Sequence, residues 1–206
     1  MISVATYNIH WCLGVDNVYS IQRIADVIAN LSVDIIGLQE MHRQTEQFND
    51  DQLQELQKNL SEFKFSAFLQ TMKGYPSNPK STKGIYGNAI LSKFPIIDEK
   101  IILFKKGTGY SKSQEQRGAI AVLISKGIYN QYKSGQTCQY RILFKLDNDK
   151  FWFITTHFGC DITGFEQQSQ SLELLKFIKN ELQPSSENII LTELPNYKKQ
   201  QNKAGF

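Results

Sequence analysis

Four apolar, strand-like runs end in polar residues that a strand does not need. "ISVATY" leads to Asn8, "VDIIGLQ" to Glu40, "FWFITT" to His157 with Asp161 close behind, and "NIILT" to Glu193. When strands lie side by side, their carboxyl ends gather at one rim, the place where open α/β sheets bind ligands. One Glu beside an Asn is a poor set for a transition metal, which favours nitrogen and sulfur donors. It suits Mg²⁺, which keeps several waters and takes one or two carboxylates plus substrate phosphate. A histidine at the same rim can hydrogen-bond a phosphoryl oxygen or protonate a leaving group. The other two histidines, His10 and His42, each stand two residues past a rim position. The chain has no H-E-x-x-H and no Walker loop, and "GIYG" is too short to cradle phosphates. Taken alone, Asn8 reads as a turn residue and His157 as a satisfied structural histidine.

Placing those residues requires a regular scaffold. Residues 2 to 9 read as a first strand. "SIQRIADVIANL" puts Ile21, Ile24, Ala25, Ile28 and Leu31 on one helical face behind a Ser20 cap. "VDIIGLQE" reads as a buried strand, so the chain opens strand, helix, strand. A second helix is expected over "DDQLQELQKNLSEF", with Leu53, Leu56 and Leu60 as its stripe and two aspartates at its positive end. Residues 71 to 85, rich in Gly, Pro, Ser and Lys, read as a surface loop. Five strand-like runs follow: "NAILS", "KIILF", "GAIAVLI", "YRILFKL" and "FWFITTHF". A third helix is expected near Gly164. Thr163 and Glu166 have capping-box spacing, Leu172, Leu175, Ile178 and Leu182 form its apolar stripe, and Pro184 closes it. "NIIL" makes a last strand. The pattern is a strand-rich α/β or α+β domain, and sheets of this size with external helices stack in layers.

The length of 206 residues suits one domain with a real core. A net charge of +3 neither requires nor rules out nucleic acid. Cys12, Cys138 and Cys160 lie far apart and read as reduced packing thiols. Met1 leads straight into "ISVATYNIH", without a basic region or long apolar run, so no signal peptide is expected. No segment is apolar enough to span a bilayer. The expectation is an intracellular protein, cytoplasmic by default, with an organellar address left open.

"TYNIH", "DIIGLQE", "YGNAILSKFPI", "QRGAIAVLI" and "ITTHFG" stand in the order and spacing of the endonuclease/exonuclease/phosphatase superfamily, the fold of pancreatic DNase. The chain resembles the compact, metal-dependent hydrolase branch of that family, over nearly its whole length. The resemblance implies two packed mixed β-sheets flanked by helices, a four-layer sandwich with one site at a shared rim. It implies hydrolysis of phosphoesters with Mg²⁺ or Mn²⁺. Residue by residue, Glu40 matches the metal-holding carboxylate and Asn8 the asparagine beside it. His157 matches a histidine that contacts the scissile phosphate. Asn88 and Arg117 fall in phrases near the phosphate.

The chain also departs from the family pattern. After the last apolar strand the family has Gly-Asp-x-Asn, whose Asp activates water. Without a gap, Leu194 stands for that Asp and Asn196 keeps the Asn. With a gap, which accounts for Pro195 and Ala204-Gly205-Phe206 together, the phrase is missing. The family's closing Ser-Asp-His phrase is absent as well. The resulting expectation is one domain over 1–206, incomplete at its C-terminus and lacking the last strands. It would be catalytically impaired, would keep at most a weak Mg²⁺ site, and would serve as a binding or assembly component with a protein partner over the incomplete sheet. The alternative is an active Mg²⁺-dependent phosphoesterase completed by a partner chain or by residues missing from the gene model.

Overall fold

Strands β1 (Ile2–Asn8) and β2 (Ile35–Arg43) run parallel, in register from Val4↔Ile35 to Asn8↔Gln39. The chain between them forms α1 (Ile21–Leu31), started by Ser20, whose Oγ accepts the Arg23 N–H at 3.2 Å. The helix buries Ile24, Ala25, Ile28 and Leu31, as its periodicity requires, and ends where Ser32 turns left-handed. Helix α2 (Gln52–Asn59) starts at Asp51, whose carboxylate accepts the Gln54 N–H. It is shorter than its sequence suggests. Leu60 and Phe63 leave the helix in a tight turn yet stay buried.

The computed structural model describes residues 2–106, 115–126, 142–144 (backbone), 149–159, 164–182 and 187–193. Two sheets emerge. The first has the order β3-β4-β2-β1-β7, adding β3 (Phe65–Lys73), β4 (Ile85–Ser92) and β7 (Ile142–Phe144). The second has the order β5-β6-β8-β9, from β5 (Ile96–Leu103), β6 (Gly118–Ser125), β8 (Lys150–Thr156) and β9 (Asn188–Thr192). Both are mixed: β1/β2 and β8/β9 are parallel pairs and the rest antiparallel. Helices α1 and α2 cover the outer face of the first sheet. The facing sides of the two sheets share a core of Val4, Ile35, Ile90, Val122, Phe151 and Phe153. Helix α3 (Phe165–Phe177) covers the outer face of the second sheet over Trp152 and Ile154. The result is the four-layer sandwich of two mixed sheets flanked by helices.

Three local expectations are corrected. Residues 71 to 73 belong to β3 rather than to the surface loop. Its buried positions include Ala67 and Thr71, a small and a polar residue, so its alternation carries little apolar signal. Helix α3 buries Glu166, Gln170, Leu174 and Phe177, while Leu172 (55% exposed) and Leu175 (60%) point outward. Both rows have helical spacing, and packing chose the one that seats Phe177. The cap of α3 is Gly164, at φ 76°, which puts Glu166 one place short of the capping-box position. Thr163, Asp161, Pro184, Cys138, Cys160 and the stretch from Leu194 to Phe206 lie outside the described residues.

Candidate functional site

The parallel β1/β2 register sets Asn8 beside Gln39, one residue from Glu40. A β-bulge then re-aims Glu40. The β2/β4 pairing runs Leu38↔Ala89 and resumes at Met41↔Gly87, so Gln39 and Glu40 together oppose Asn88. Glu40 takes the extra place with φ at 62°. Strict alternation would send its side chain to the helix-covered face with Ile36 and Leu38. The inserted residue frees it from that face, and Met41 fills the helix side instead. A left-handed glutamate is strained, and such strain concentrates at functional sites.

From the second sheet, β8 ends at Thr156 and His157 follows, 4% exposed. The loop after it is pinned by α3: the Gly159 N–H donates to Gln170 Oε1 at 2.8 Å, and Gln170 Nε2 donates to Glu166 Oε1 at 3.1 Å. His157 Nε2 then stands 3.2 Å from Glu40 Oε1, across the gap between the sheets. Asn8 Nδ2 donates to the same Glu40 oxygen at 2.9 Å. The orientation of that amide is set by the His10 backbone N–H, which donates to Asn8 Oδ1 at 2.9 Å.

Burial works against ionising Glu40, but the hydrogen bonds from His157 and Asn8 outweigh it and hold the carboxyl below its usual value. Burial likewise works against the charged form of His157, and the Arg117 charge adds to that, against the pull of Glu40; its net shift is downward. At neutral pH the pair is therefore a carboxylate accepting from a neutral imidazole that carries its proton on Nε2.

Beneath this contact the sheets are bridged. Gln39 Nε2 donates to Thr6 Oγ1 at 3.0 Å and to Thr155 Oγ1 at 2.8 Å. Gly37 permits the approach: a Cβ there would overlap Thr155 Oγ1, with the Thr155 Cβ 2.6 Å away.

Arg117 precedes β6, and its side chain is 10% exposed. Its Nη2 pairs with Glu115 Oε2 at 2.9 Å, while its buried Nε has no hydrogen-bond partner among the described residues. An idle guanidinium donor beside His157 suits an oxyanion. Asn88 is buried opposite the bulge. Glu193 leaves β9 at the end where His157 leaves β8, since Thr155 pairs with Thr192. Burial pushes its carboxyl up to about 7, yet it is not among the charges that bear on Glu40 or His157.

So Asn8, Glu40 and His157 meet in direct contact, Arg117 joins beside His157, and Asn88 faces the bulge. Two neighbours went unnoticed in the sequence. Glu115 stands two residues before Arg117 and pairs with it, and that spacing was a usable signal. Burial raises its carboxyl, the Arg117 charge opposes this, and the charges of Glu40 and Glu166 add to it. Tyr86, 3% exposed on β4, has its hydroxyl pushed well up by burial and by the Glu115 and Glu40 charges.

The sequence profile of the Endonuclease/Exonuclease/phosphatase family matches residues 5–191. A search of curated proteins finds no match. Among solved structures, an endonuclease/exonuclease/phosphatase from Beutenbergia cavernae DSM 12333 is similar with a TM-score of 0.68 at 19% identity, covering 85% of this chain and 43% of its own. The human Nocturnin catalytic domain with bound sulfate matches with a TM-score of 0.59 at 18% identity, covering 92% and 63%. D. rerio TDP2 complexed with single-strand DNA product matches with a TM-score of 0.54 at 16% identity, covering 92% and 58%. The chain thus spans less than two thirds of each of these structures. No helix among the described residues is long and apolar enough to cross a membrane. With a family profile running from the first strand to the last and the same fold in each solved relative, the chain belongs to the Endonuclease/Exonuclease/phosphatase family.

Proposed function

We propose that this domain binds phosphoesters together with a divalent cation at Glu40, and that its hydrolytic step is slow in this polypeptide alone. The observation that carries the reading is the shared Glu40 oxygen. Asn8 and His157 both engage Oε1, which leaves Oε2 for a hard cation. Among the described residues no group of three His, Cys, Asp or Glu is set to hold a metal. That donor set does not make a transition-metal cage. It fits Mg²⁺, or Mn²⁺, held by one carboxylate, waters and substrate oxygens.

When bound, the cation would neutralise phosphoryl charge and polarise the ester. The chain's own residues do the rest. Asn8 fixes the Glu40 rotamer. Arg117, steadied by Glu115, offers its idle Nε–H to a phosphoryl oxygen. His157 holds a proton at Nε2 and turns it from Glu40 to the phosphate once the carboxylate is engaged. The carboxylate paired within the cluster, Glu115, is held by Arg117 at 2.9 Å, and groups that act as one unit are grossly non-additive when one is lost. The rate is expected to fall by about 10³- to 10⁶-fold against a complete site.

Calorimetry with glycerol 3-phosphate, alongside phosphate release, tests this. Binding should require Mg²⁺ and vanish in Glu40→Gln, with turnover barely above background. Binding that ignores both Mg²⁺ and the substitution would refute the site. A second reading, an active enzyme completed by other residues or a partner chain, is favoured by the chain spanning only 43–63% of the three solved relatives. Under it, protein isolated with its natural companions turns over rapidly, and Glu40→Gln abolishes that activity.

A further inference from the structure

Directly after Asn8 the backbone makes a turn that L-residues avoid. His10, Trp11 and Cys12 have φ of 44°, 61° and 62°, and none is glycine. Left-handed residues normally occur singly, so three in a row persist only where the surroundings over-determine them. Within the turn, Cys12 N–H donates to Ile9 O and Leu13 N–H to His10 O, each at 2.9 Å. From outside, the Ser20 N–H donates to Cys12 O at 2.9 Å, and Gln52 Nε2 donates to Trp11 O at 2.7 Å. The turn bears on the site through its first left-handed residue. His10 supplies the N–H that orients Asn8, and Asn8 in turn holds Glu40.

The Glu40 segment is irregular too, with φ at 62° in the bulge. Gln52 reaches this segment as well: its Oε1 accepts the His42 N–H at 2.8 Å, two residues past Glu40. One fully buried amide therefore joins the two strained segments that present Asn8 and Glu40. Its residue type is set by the two partners. It must donate to the Trp11 carbonyl and accept from the His42 N–H, and it must do both without burying a charge. A carboxylate cannot donate, a lysine or arginine cannot accept, and a hydrocarbon side chain does neither.

The amide also has a fixed base. Gln52 is the first residue of α2, and the start of α2 is fastened to the end of β2. Arg43 donates from Nε to Asp51 Oδ1 at 2.9 Å and from Nη2 to Asp51 Oδ2 at 2.7 Å. The Gln44 N–H donates to Asp50 O at 2.9 Å. Leu53 and Leu56 seat the helix in the core. The strand that carries Glu40 thus sets α2, α2 sets Gln52, and Gln52 sets the turn that orients Asn8.

We propose that Gln52 is a positioning residue for the Glu40 site. Its hydrogen bonds go to Trp11, His42 and, at 3.4 Å, the Tyr19 hydroxyl, and none goes to Asn8, Glu40 or His157. It acts through the turn, holding Asn8 on Glu40 Oε1 so that Oε2 stays open to the cation. The proposal rests on the phosphoester reading above and extends it to a residue that touches neither cation nor phosphoester.

Gln52→Met keeps the length of the side chain and removes the amide. Leu56→Val loosens the same helix through its apolar face and serves as the control. The whole chain is studied by calorimetry with Mg²⁺ and glycerol 3-phosphate, and by NMR of the Asn8 and Gln52 side-chain amides. In the wild type both amides should exchange slowly with solvent, and fast exchange at Gln52 overturns the proposal without any variant. In Gln52→Met the Asn8 amide signals should move toward those of a free amide. Mg²⁺-dependent binding of glycerol 3-phosphate should weaken about 10- to 100-fold, the usual effect of disturbing the partner of a metal-holding side chain. Leu56→Val should leave both readouts at their wild-type values. Asn8 signals unmoved by Gln52→Met overturn the proposal. So does equal weakening in Leu56→Val, which would make the role one of general stability. If the wild type binds neither probe, the phosphoester reading falls, and the Asn8 signals alone then decide the link to Gln52.

Discussion

The bridge under the site yields a prediction whose sign runs against intuition. Gln39 and Thr155 are both fully buried, and the Gln39 amide donates to Thr6 and Thr155 while its Oε1 has no partner among the described residues. Thr155→Val keeps the volume but removes an acceptor and strands an amide N–H, which costs about 1–3 kcal/mol. Gln39→Met removes the orphaned carbonyl but leaves the buried Thr155 hydroxyl without its amide partner, a cost of about 1–3 kcal/mol that loss of the carbonyl offsets in part. In the double variant neither the amide nor the Thr155 hydroxyl is left to strand, so the two changes together should be milder than Thr155→Val alone, with stability well above the additive value. Urea unfolding of the four proteins measures all three quantities. A neutral Thr155→Val, or strict additivity, would refute the bridge as drawn. Because Gln39 adjoins Glu40, slack in the bridge also reaches the Glu40–His157 contact, and Mg²⁺-dependent phosphoester binding should weaken in Thr155→Val.

Gly37→Ala would drive a methyl into Thr155 and is expected to destabilise by about 1–3 kcal/mol, the usual cost of overpacking, read by the same unfolding assay. In metal-free protein, Glu40→Gln removes the one influence that raises His157, so its NMR titration should move further down; an unmoved titration denies the contact. Glu40, held below its unfolded value, contributes stability that is present above that value and lost as pH falls through the folded one, so Glu40→Gln should flatten the acid limb of the stability profile. Arg117→Met leaves Glu115 to burial and two like charges, raising it further. Its stability should then fall more steeply than wild type as pH rises past the ordinary carboxylate range. On α3, Leu174→Ala should cost about 2–5 kcal/mol, whereas Leu172→Gln and Leu175→Gln should stay within about 0.5 kcal/mol.

What could be read ahead of the structure depended on whether a residue's role was set by its own strand or by a partner far along the chain. Asn8 and His157 were legible because each stands where an apolar strand ends, and Glu40 because it closes the apolar run of β2, although that strand continues to Arg43. The α1 face was legible because it has one apolar stripe. Helix α3 has two, and choosing between them required knowing that Phe177 packs under the second sheet. The same limit hid the best-buried parts of the site. The bulge that frees Glu40 is a property of the β2/β4 register, and nothing in "GLQEMH" marks the glutamate as the inserted residue. Nothing local marks the role of Gln39, because one of its acceptors, Thr155, lies 116 positions away. The left-handed turn at His10 to Cys12 could not be read at all, since no glycine or asparagine announces it and its clamps come from α1's cap and α2's first residue. Local propensity argues against that turn, and tertiary hydrogen bonds override it. The turn therefore depends on Ser20 and Gln52 holding it from outside, and not on the residues that form it.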